Sequence, residues 1–281
     1  MAKPLCPEDF RAVRIELEDD DFAIVPEDPD RPPRDLIDRD AWNSIVTLPD
    51  DVAIRTSNDY GCLLGGMDRC WDGFIDSLSM RRDPIETAIL DAADEFHAAT
   101  YNSLHGFYRQ AFGCLRNALE TVAIATYCQV TDQRSLFRER EAGKSRIEFG
   151  RACDGLITAP RLTVLRARLR KELGDSIFDQ RKGGASDTGG WARRLFSDLS
   201  EYEHSRPKFR NADMWESNGP VFSPTAFTKL AASFFETAAL CFLMVKMGRP
   251  RFSLPERARE IWDSKVIRPS RIATLSRDIL Y

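Results

Sequence analysis

The sequence predicts a mainly α-helical bundle that carries a small N-terminal β-containing segment. Two observations predict the bundle: residues 83–130 keep a helical spacing of apolar side chains, and residues 224–247 are apolar on nearly every side. A third observation sets residues 1–60 apart, since they combine alternating polar and apolar residues with a proline-rich acidic stretch. We therefore predict an acidic β/loop segment over residues 1–60, a helical bundle over 61–250 and a helical tail over 251–281.

The stretch around which the chain is organised begins at Asp83. Asp83 is a favourable N-cap, Pro84 suits the first helical position, and Glu86 completes a capping-box pattern. No proline follows within the stretch, and Gly106 and Gly113 each weaken a helix by about 1 kcal/mol relative to alanine. The spacing predicts a long helix from Asp83 to Val130, with a bend or short break near Gly106.

Polar side chains lie on the shoulder of the apolar face of this helix. At about 100° per residue, one face collects Leu104, Tyr108, Ala111, Leu115, Leu119 and Val122. Beside that face the same arithmetic places His105, Arg109, Arg116 and Glu120. Arg116 and Glu120 are four residues apart and can pair along the helix. Two interpretations stay open: a structural ion pair at the edge of the bundle, and a cleft lined for function.

The remaining elements follow from the local patterns. Residues 11–18 and 22–25 are predicted as one β-hairpin, and Val46–Ile54 as a second hairpin that turns at residues 49–51. A glycine-containing loop is predicted before a short helix at Asp68–Leu78. Further helices are predicted at residues 135–141, 149–156, 160–173, 191–203, 224–247 and 255–263, with another segment after Pro269.

Charge is distributed unevenly along the chain. Residues 1–60 carry 16 acidic and 7 basic residues, residues 61–133 carry 10 and 5, residues 134–210 carry 11 and 18, and residues 211–281 carry 7 and 10. The acidic front and the basic back can neutralise one another within a chain or between chains, which predicts a homo-oligomer or a protein partner. Alternatively, the basic part meets the phosphate backbone of RNA.

Several classes of site and location are excluded at this stage. Seven scattered cysteines and three histidines show no metal-ligand spacing, so we predict no metal and no cofactor. The N-terminus lacks an apolar leader, and Lys229, Glu236 and Lys246 interrupt the apolar helix at 224–247. We therefore expect a cytoplasmic protein that does not enter a membrane.

Two motifs carry a resemblance to a known group. They are Tyr108-Arg109-Gln-Ala, continuing to Leu115-Arg116-Asn117-Ala-Leu-Glu120, and the later Leu199-Ser-Glu-Tyr202-Glu-His204-Ser-Arg206-Pro207. Over residues 84–247 the chain resembles HEPN-like helical bundles, which are found in bacterial antiviral and toxin–antitoxin loci. The resemblance implies a helical bundle, and active members of that group are metal-independent ribonucleases. Their arginine is followed by a histidine after four to six residues. Arg116 fits the arginine, whereas residues 121–123 are Thr-Val-Ala.

Three functional hypotheses follow. The first is a bundle that binds a protein partner or RNA in antiviral defence or toxin–antitoxin regulation. The second is a metal-independent endoribonuclease, and the third is a non-catalytic oligomerisation or scaffold protein. For the enzyme hypothesis the predicted catalytic residues are His204, Arg116, Glu120 and Arg206, with histidine as general acid or base and arginine stabilising charge on phosphorus. The predicted binding residues are His105, Arg109 and Tyr202.

Overall fold

The described part of the chain is an α-helical bundle. The computed structural model describes residue 40 and residues 43–78, 83–180, 189–203, 220–262 and 270–280. The chain divides into two compact units, Met1–Trp42 and Asn43–Tyr281, and every helix described below belongs to the second unit. No β-strand occurs among the described residues. The predicted hairpin at residues 11–25 lies outside them.

Ten α-helices are formed by the described residues. They are α1 (Leu48–Asp76), α2 (Pro84–Leu104), α3 (Tyr108–Val130), α4 (Arg134–Glu141), α5 (Phe149–Thr158), α6 (Thr163–Leu173), α7 (Trp191–Glu203), α8 (Pro224–Gly248), α9 (Glu256–Trp262) and α10 (Ser270–Leu275). A π-helical turn, Asn43–Thr47, precedes α1, and a second one, Ser276–Leu280, follows α10. A 3₁₀ turn at Pro160–Leu162 leads into α6.

The predicted break in the central stretch is confirmed. The Asp83 side chain accepts a hydrogen bond from the Glu86 amide at 3.0 Å and so caps α2. Helix α2 ends at Leu104 and α3 begins at Tyr108. Gly106 makes the turn with a φ of +80°, a left-handed conformation that glycine adopts at little cost. The Val221 backbone lies so close that a Cβ on Gly106 would be 2.3 Å from its carbonyl oxygen. Only glycine fits this turn without strain or a steric clash.

Helix α3 is the centre of the bundle. It packs against α2 on one side and against α8, α7 and α5 on the others, while α1 packs on α2 and α9. The core between α1, α2 and α8 contains stacked rings, with the Phe74 ring 4.8 Å from Phe96 and 4.2 Å from Phe242 between centroids. Burying these rings is the main contribution that holds the helices together.

Helix α8 is the predicted apolar helix, and its burial in the bundle is confirmed. Ser223 caps it by accepting a hydrogen bond from the Ala226 amide, and sixteen of its residues are buried. By length and composition alone α8 also meets the requirement for a membrane span, but 78% of its most apolar 18-residue window is buried inside the bundle. Neighbouring helices α1, α2, α3, α7 and α10 provide that cover.

The second predicted hairpin is wrong. Residues 46–54 are helical and belong to the π-helical turn and the first turns of α1. Pro49-Asp50-Asp51 is a sequence that fits a β-turn. A proline in the first helical turn followed by carboxylates near the positive end of the helix dipole is equally a helix start, and α1 begins in that way.

The predicted loop before Asp68 is also wrong, because α1 continues through the glycines of this region. Its backbone departs from helical values only at Tyr60, where φ is −129° and ψ is 19°. Met67, Cys70 and Phe74 are completely buried on the following turns. Burial of these three side chains offsets the intrinsic cost of the glycines, which is about 1 kcal/mol each. Tertiary packing thus overrides local propensity here.

A buried ion cluster joins the end of α8 to the start of α2. One Arg249 nitrogen, Nη2, lies 2.7 Å from an Asp83 oxygen and 2.5 Å from a Glu86 oxygen. The three side chains are 9%, 11% and 10% exposed. Charges at this depth are stabilised by one another rather than by water. The N-cap of α2 is therefore also an anchor for the C-terminal end of α8.

Candidate functional site

The structure brings Arg116 of α3 against α7. Its Nε donates a hydrogen bond to Ser200 Oγ at 3.1 Å, and its Nη1 lies 3.5 Å from a Glu120 carboxylate oxygen. The guanidinium carbon lies 4.7 Å from the centroid of the Phe196 ring. The side chains of Arg116 and Glu120 are 19% and 24% exposed, so this predicted pair forms in a half-buried position. Arg116 thus joins α3 to α7 by hydrogen bonding and cation–π contact together.

Arg109, two turns before Arg116 on α3, contacts Tyr202 of α7. Arg109 Nε donates to the Tyr202 carbonyl oxygen at 3.1 Å. That carbonyl lies in the last turn of α7, where backbone acceptors lack partners within the helix. The Tyr202 ring stacks on Phe112 with centroids 4.0 Å apart, and Lys229 Nζ lies 4.9 Å from the ring centroid. Both predicted binding residues therefore contribute to packing of α7 on α3, and the Tyr202 side chain is buried.

His105 belongs to the end of α2 and not to α3, so its predicted place in one helical wedge with Arg109, Arg116 and Glu120 is wrong. It is the C-cap of α2, separated from α3 by the turn at Gly106. Its Nδ1 lies 2.9 Å from the Tyr101 carbonyl oxygen, and its ring centroid is 4.2 Å from that of Tyr101. The break in the helix rotates α3 relative to α2, so angular arithmetic across the break fails.

The other two predicted catalytic residues, His204 and Arg206, lie outside the described residues. We call the following residues the α3–α7 contact: Arg109, Arg116, Glu120, Phe196, Ser200 and Tyr202. In this contact the Arg116 guanidinium binds a neutral partner, Ser200, and an acidic partner, Glu120. The arrangement orients the C-terminal end of α7 against α3.

Two residues of this contact were not predicted, Phe196 and Ser200. They are four residues apart on α7 and so face α3 together, which is a signal that the helical spacing of α7 contains. Ser200 Oγ also donates to the Phe196 carbonyl oxygen at 2.7 Å, which fixes its lone pairs towards Arg116.

A double-mutant cycle tests the structural role of Arg116. Arg116→Met keeps the aliphatic cover on Phe196 and removes the donors, and we expect a loss of about 1–2 kcal/mol in the free energy of unfolding. Ser200→Ala should cost about 1 kcal/mol, and the pair should be coupled by about 1 kcal/mol in urea denaturation. Strictly additive effects would show that the Arg116–Ser200 bond contributes nothing to stability.

A second polar cluster lies between α2 and α3 and includes Asn117, the residue after Arg116. Asn117 donates to a Glu95 oxygen at 3.2 Å, and Asn102 lies 4.0 Å from the Cys114 sulfur. Burial and the nearby Glu95 carboxylate raise the pKa of the Cys114 thiol to about 12. Cys114 therefore stays protonated at neutral pH and does not fit the role of a nucleophile.

Residues 134–180, which we call the basic segment, carry the most exposed positive charge of the described chain. They comprise 11 basic and 7 acidic residues. The exposed cations of the segment are Arg134, Arg138, Lys144, Arg146, Arg151, Arg161, Arg168, Arg170 and Lys171. Arg193 of α7 holds the segment in place, because its guanidinium donates to the Phe178 carbonyl oxygen at 2.6 Å and to Asp154 at 2.5 Å. The cations are thus presented on a fixed scaffold.

Within the ranges that the structure describes, no group of three or more His, Cys, Asp or Glu side chains is arranged to hold a metal ion.

Comparison with known proteins gives no further information about this site. No family model, curated protein or solved structure matches this chain. The function is therefore argued from the residues alone.

Proposed function

We propose that this chain is a non-catalytic, HEPN-like bacterial bundle that binds RNA through its basic segment. One observation supports the proposal: exposed arginines and lysines are concentrated on α4, α5 and α6 and the turns that join them. In the described residues, five of them have no carboxylate oxygen within 4.0 Å, namely Arg138, Lys144, Arg146, Arg151 and Arg161. Such cations are available to phosphate groups and release counterions on binding.

The acidic residues of α1 and α2 would direct a polyanion to the basic segment rather than let it bind anywhere on the surface. Residues 43–78 and 83–105 carry 11 acidic and 2 basic residues, and nine of the acidic ones lie outside the buried Arg249 cluster. An acidic surface on α1 and α2 repels a phosphate backbone, so an RNA strand is steered towards the basic segment. A role in antiviral defence or toxin–antitoxin regulation, in the cytoplasm, is consistent with a protein that captures RNA.

A specific observation favours ribonuclease activity as the second candidate. Ser200 and Tyr202 place the last turn of α7 beside Arg116 and Arg109, and the predicted general acid, His204, follows in the sequence. A histidine that transfers a proton and an arginine that stabilises charge on phosphorus can together support phosphodiester cleavage without a metal. The engagement of Arg116 by Ser200, Glu120 and Phe196 makes binding the preferred hypothesis.

Fluorescence anisotropy of a labelled single-stranded RNA tests the proposal. The triple variant Arg138→Gln, Arg146→Gln, Arg151→Gln removes three exposed cations, and each lost phosphate contact should reduce the slope of log K against log salt by about 0.7. We expect the slope to fall by about 2 if all three contact phosphate. The matched control Arg55→Gln, Arg69→Gln, Arg251→Gln removes the same charge elsewhere and should bind RNA nearly as the unmodified chain does.

Two results would contradict RNA binding through the basic segment. One is an absence of any anisotropy change at low salt. The other is an equal loss of affinity in both triple variants, which would show that net charge rather than location determines the interaction. Salt-sensitive self-association of the protein without RNA binding would favour the scaffold hypothesis instead.

A further inference from the structure

A cavity of about 330 Å³ lies within the basic segment, between α6 and residues 175–179. This volume is at the lower end of the range for small-molecule sites, which begins at about 300 Å³. Its lining combines an apolar wall with polar groups. The apolar side chains are Ile157, Leu169, Ile177 and Phe178, and the polar ones include Thr163, Arg166, Arg170 and Ser176.

Arg166 is the distinctive residue of this cavity. The guanidinium is half-buried, and it contacts two neutral oxygens: Nη1 donates to the Leu156 carbonyl at 3.1 Å, and Nη2 donates to Thr163 Oγ1 at 3.4 Å. No described carboxylate lies within 4.0 Å of it. A charge removed from water in this way is stabilised by a counter-charge, and none is present in the described protein.

The two carboxylates on the lining do not supply that counter-charge. Asp179 pairs with Arg170 at 2.8 Å. Asp175 pairs with Arg194 and, at 3.2 Å, with Arg271. Asp179 is thus neutralised by Arg170, and Asp175 by two arginines from outside the lining, so Arg166 is the lining arginine without a described carboxylate partner. The electrostatics favour an anion, while the apolar wall favours a ligand with a flat or apolar body.

We propose that this cavity binds a phosphate monoester attached to a nucleobase-sized body, with the phosphate on Arg166 and the body on the apolar wall. A guanidinium is well suited to phosphate because it offers two parallel donors. The choice of a nucleotide rests on the proposed RNA binding. Two sources share this chemistry, a free mononucleotide and the 5′-phosphorylated end of an RNA strand.

Isothermal titration with uridine 5′-monophosphate, beside uridine and inorganic phosphate, is the first test. We expect the nucleotide to bind at least tenfold more tightly than either fragment. Arg166→Gln should weaken its binding at least tenfold, whereas Arg69→Gln, which changes an exposed arginine on α1 outside both the basic segment and the cavity lining, should not change it. Equal affinity for the nucleotide and for inorganic phosphate, or an unchanged affinity in Arg166→Gln, would overturn the proposal.

A second variant keeps the test decisive if Arg166→Gln fails to fold. Ala167 lines the cavity and is exposed, so Ala167→Trp should fill the space without disturbing the core. Loss of nucleotide binding in Ala167→Trp, with an unchanged urea midpoint, supports the site. Nucleotide binding that survives this change excludes the cavity.

RNA with and without a 5′-phosphate distinguishes the two sources and separates this inference from the proposed function. Tighter binding of the phosphorylated strand, lost in Arg166→Gln, assigns the cavity to an RNA end. Equal binding of both strands, with tight binding of the free nucleotide, assigns it to a mononucleotide. RNA binding by the basic segment without any nucleotide binding overturns the cavity proposal alone.

Discussion

Gly106→Ala is expected to destabilise the protein by about 3 kcal/mol or more. Two costs add at this position. The left-handed φ of +80° is unfavourable for alanine, and the new Cβ would lie 2.3 Å from the Val221 carbonyl oxygen and 2.6 Å from the Val221 nitrogen. Neither backbone atom can move without shifting the segment that leads into α8. The free energy of unfolding from urea titration measures this effect.

Gly113→Ala is the matched control for that substitution. Gly113 lies inside α3, and no atom lies within 4 Å of the position that its Cβ would take. Alanine there should raise the free energy of unfolding by about 0.5–1 kcal/mol, because it lowers the entropy of the unfolded chain and favours the helix. If both alanine variants had the same stability, the turn between α2 and α3 would not be the constraint described here.

Arg249→Met is expected to cost about 3–5 kcal/mol in the free energy of unfolding. The substitution removes the cation that contacts both Asp83 and Glu86 in a buried position. It also frees the C-terminal end of α8 from the cap of α2. Chemical denaturation at neutral pH measures the loss, and adding Asp83→Asn and Glu86→Gln to the same variant should recover part of it.

An exposed ion pair provides a control for the stability effect expected at Arg249. Arg170 and Asp179 are also in close contact, at 2.8 Å, but their side chains are 70% and 34% exposed. Arg170→Met should therefore change stability by no more than about 1 kcal/mol. A similar cost for the two arginines would mean that burial does not determine the strength of the Arg249 cluster.

The elements that the sequence predicts well are those with strong local signals. Asp83 and Ser223 both precede proline at a helix start, and both are observed caps. The burial of α8 follows from its composition. Local patterns failed where tertiary packing decides, as in α1, whose glycines are held in a helix by the buried side chains of Met67 and Phe74.

The α3–α7 contact was predictable only in part. The Arg116–Glu120 pair follows from spacing within one helix. The pairing of Arg116 with Ser200 spans 84 residues of sequence, and no local rule links them. The Arg249 cluster was missed for the same reason, since its partners are more than 160 residues apart.

The most direct test of binding without cleavage is a gel assay of labelled RNA in EDTA. The purified wild-type chain is compared with His204→Ala, and bound and cleaved RNA are measured on the same samples. Our account predicts intact RNA in both, retained equally by the two proteins. Cleavage by the wild type that is lost in His204→Ala would contradict it and would establish a metal-independent ribonuclease.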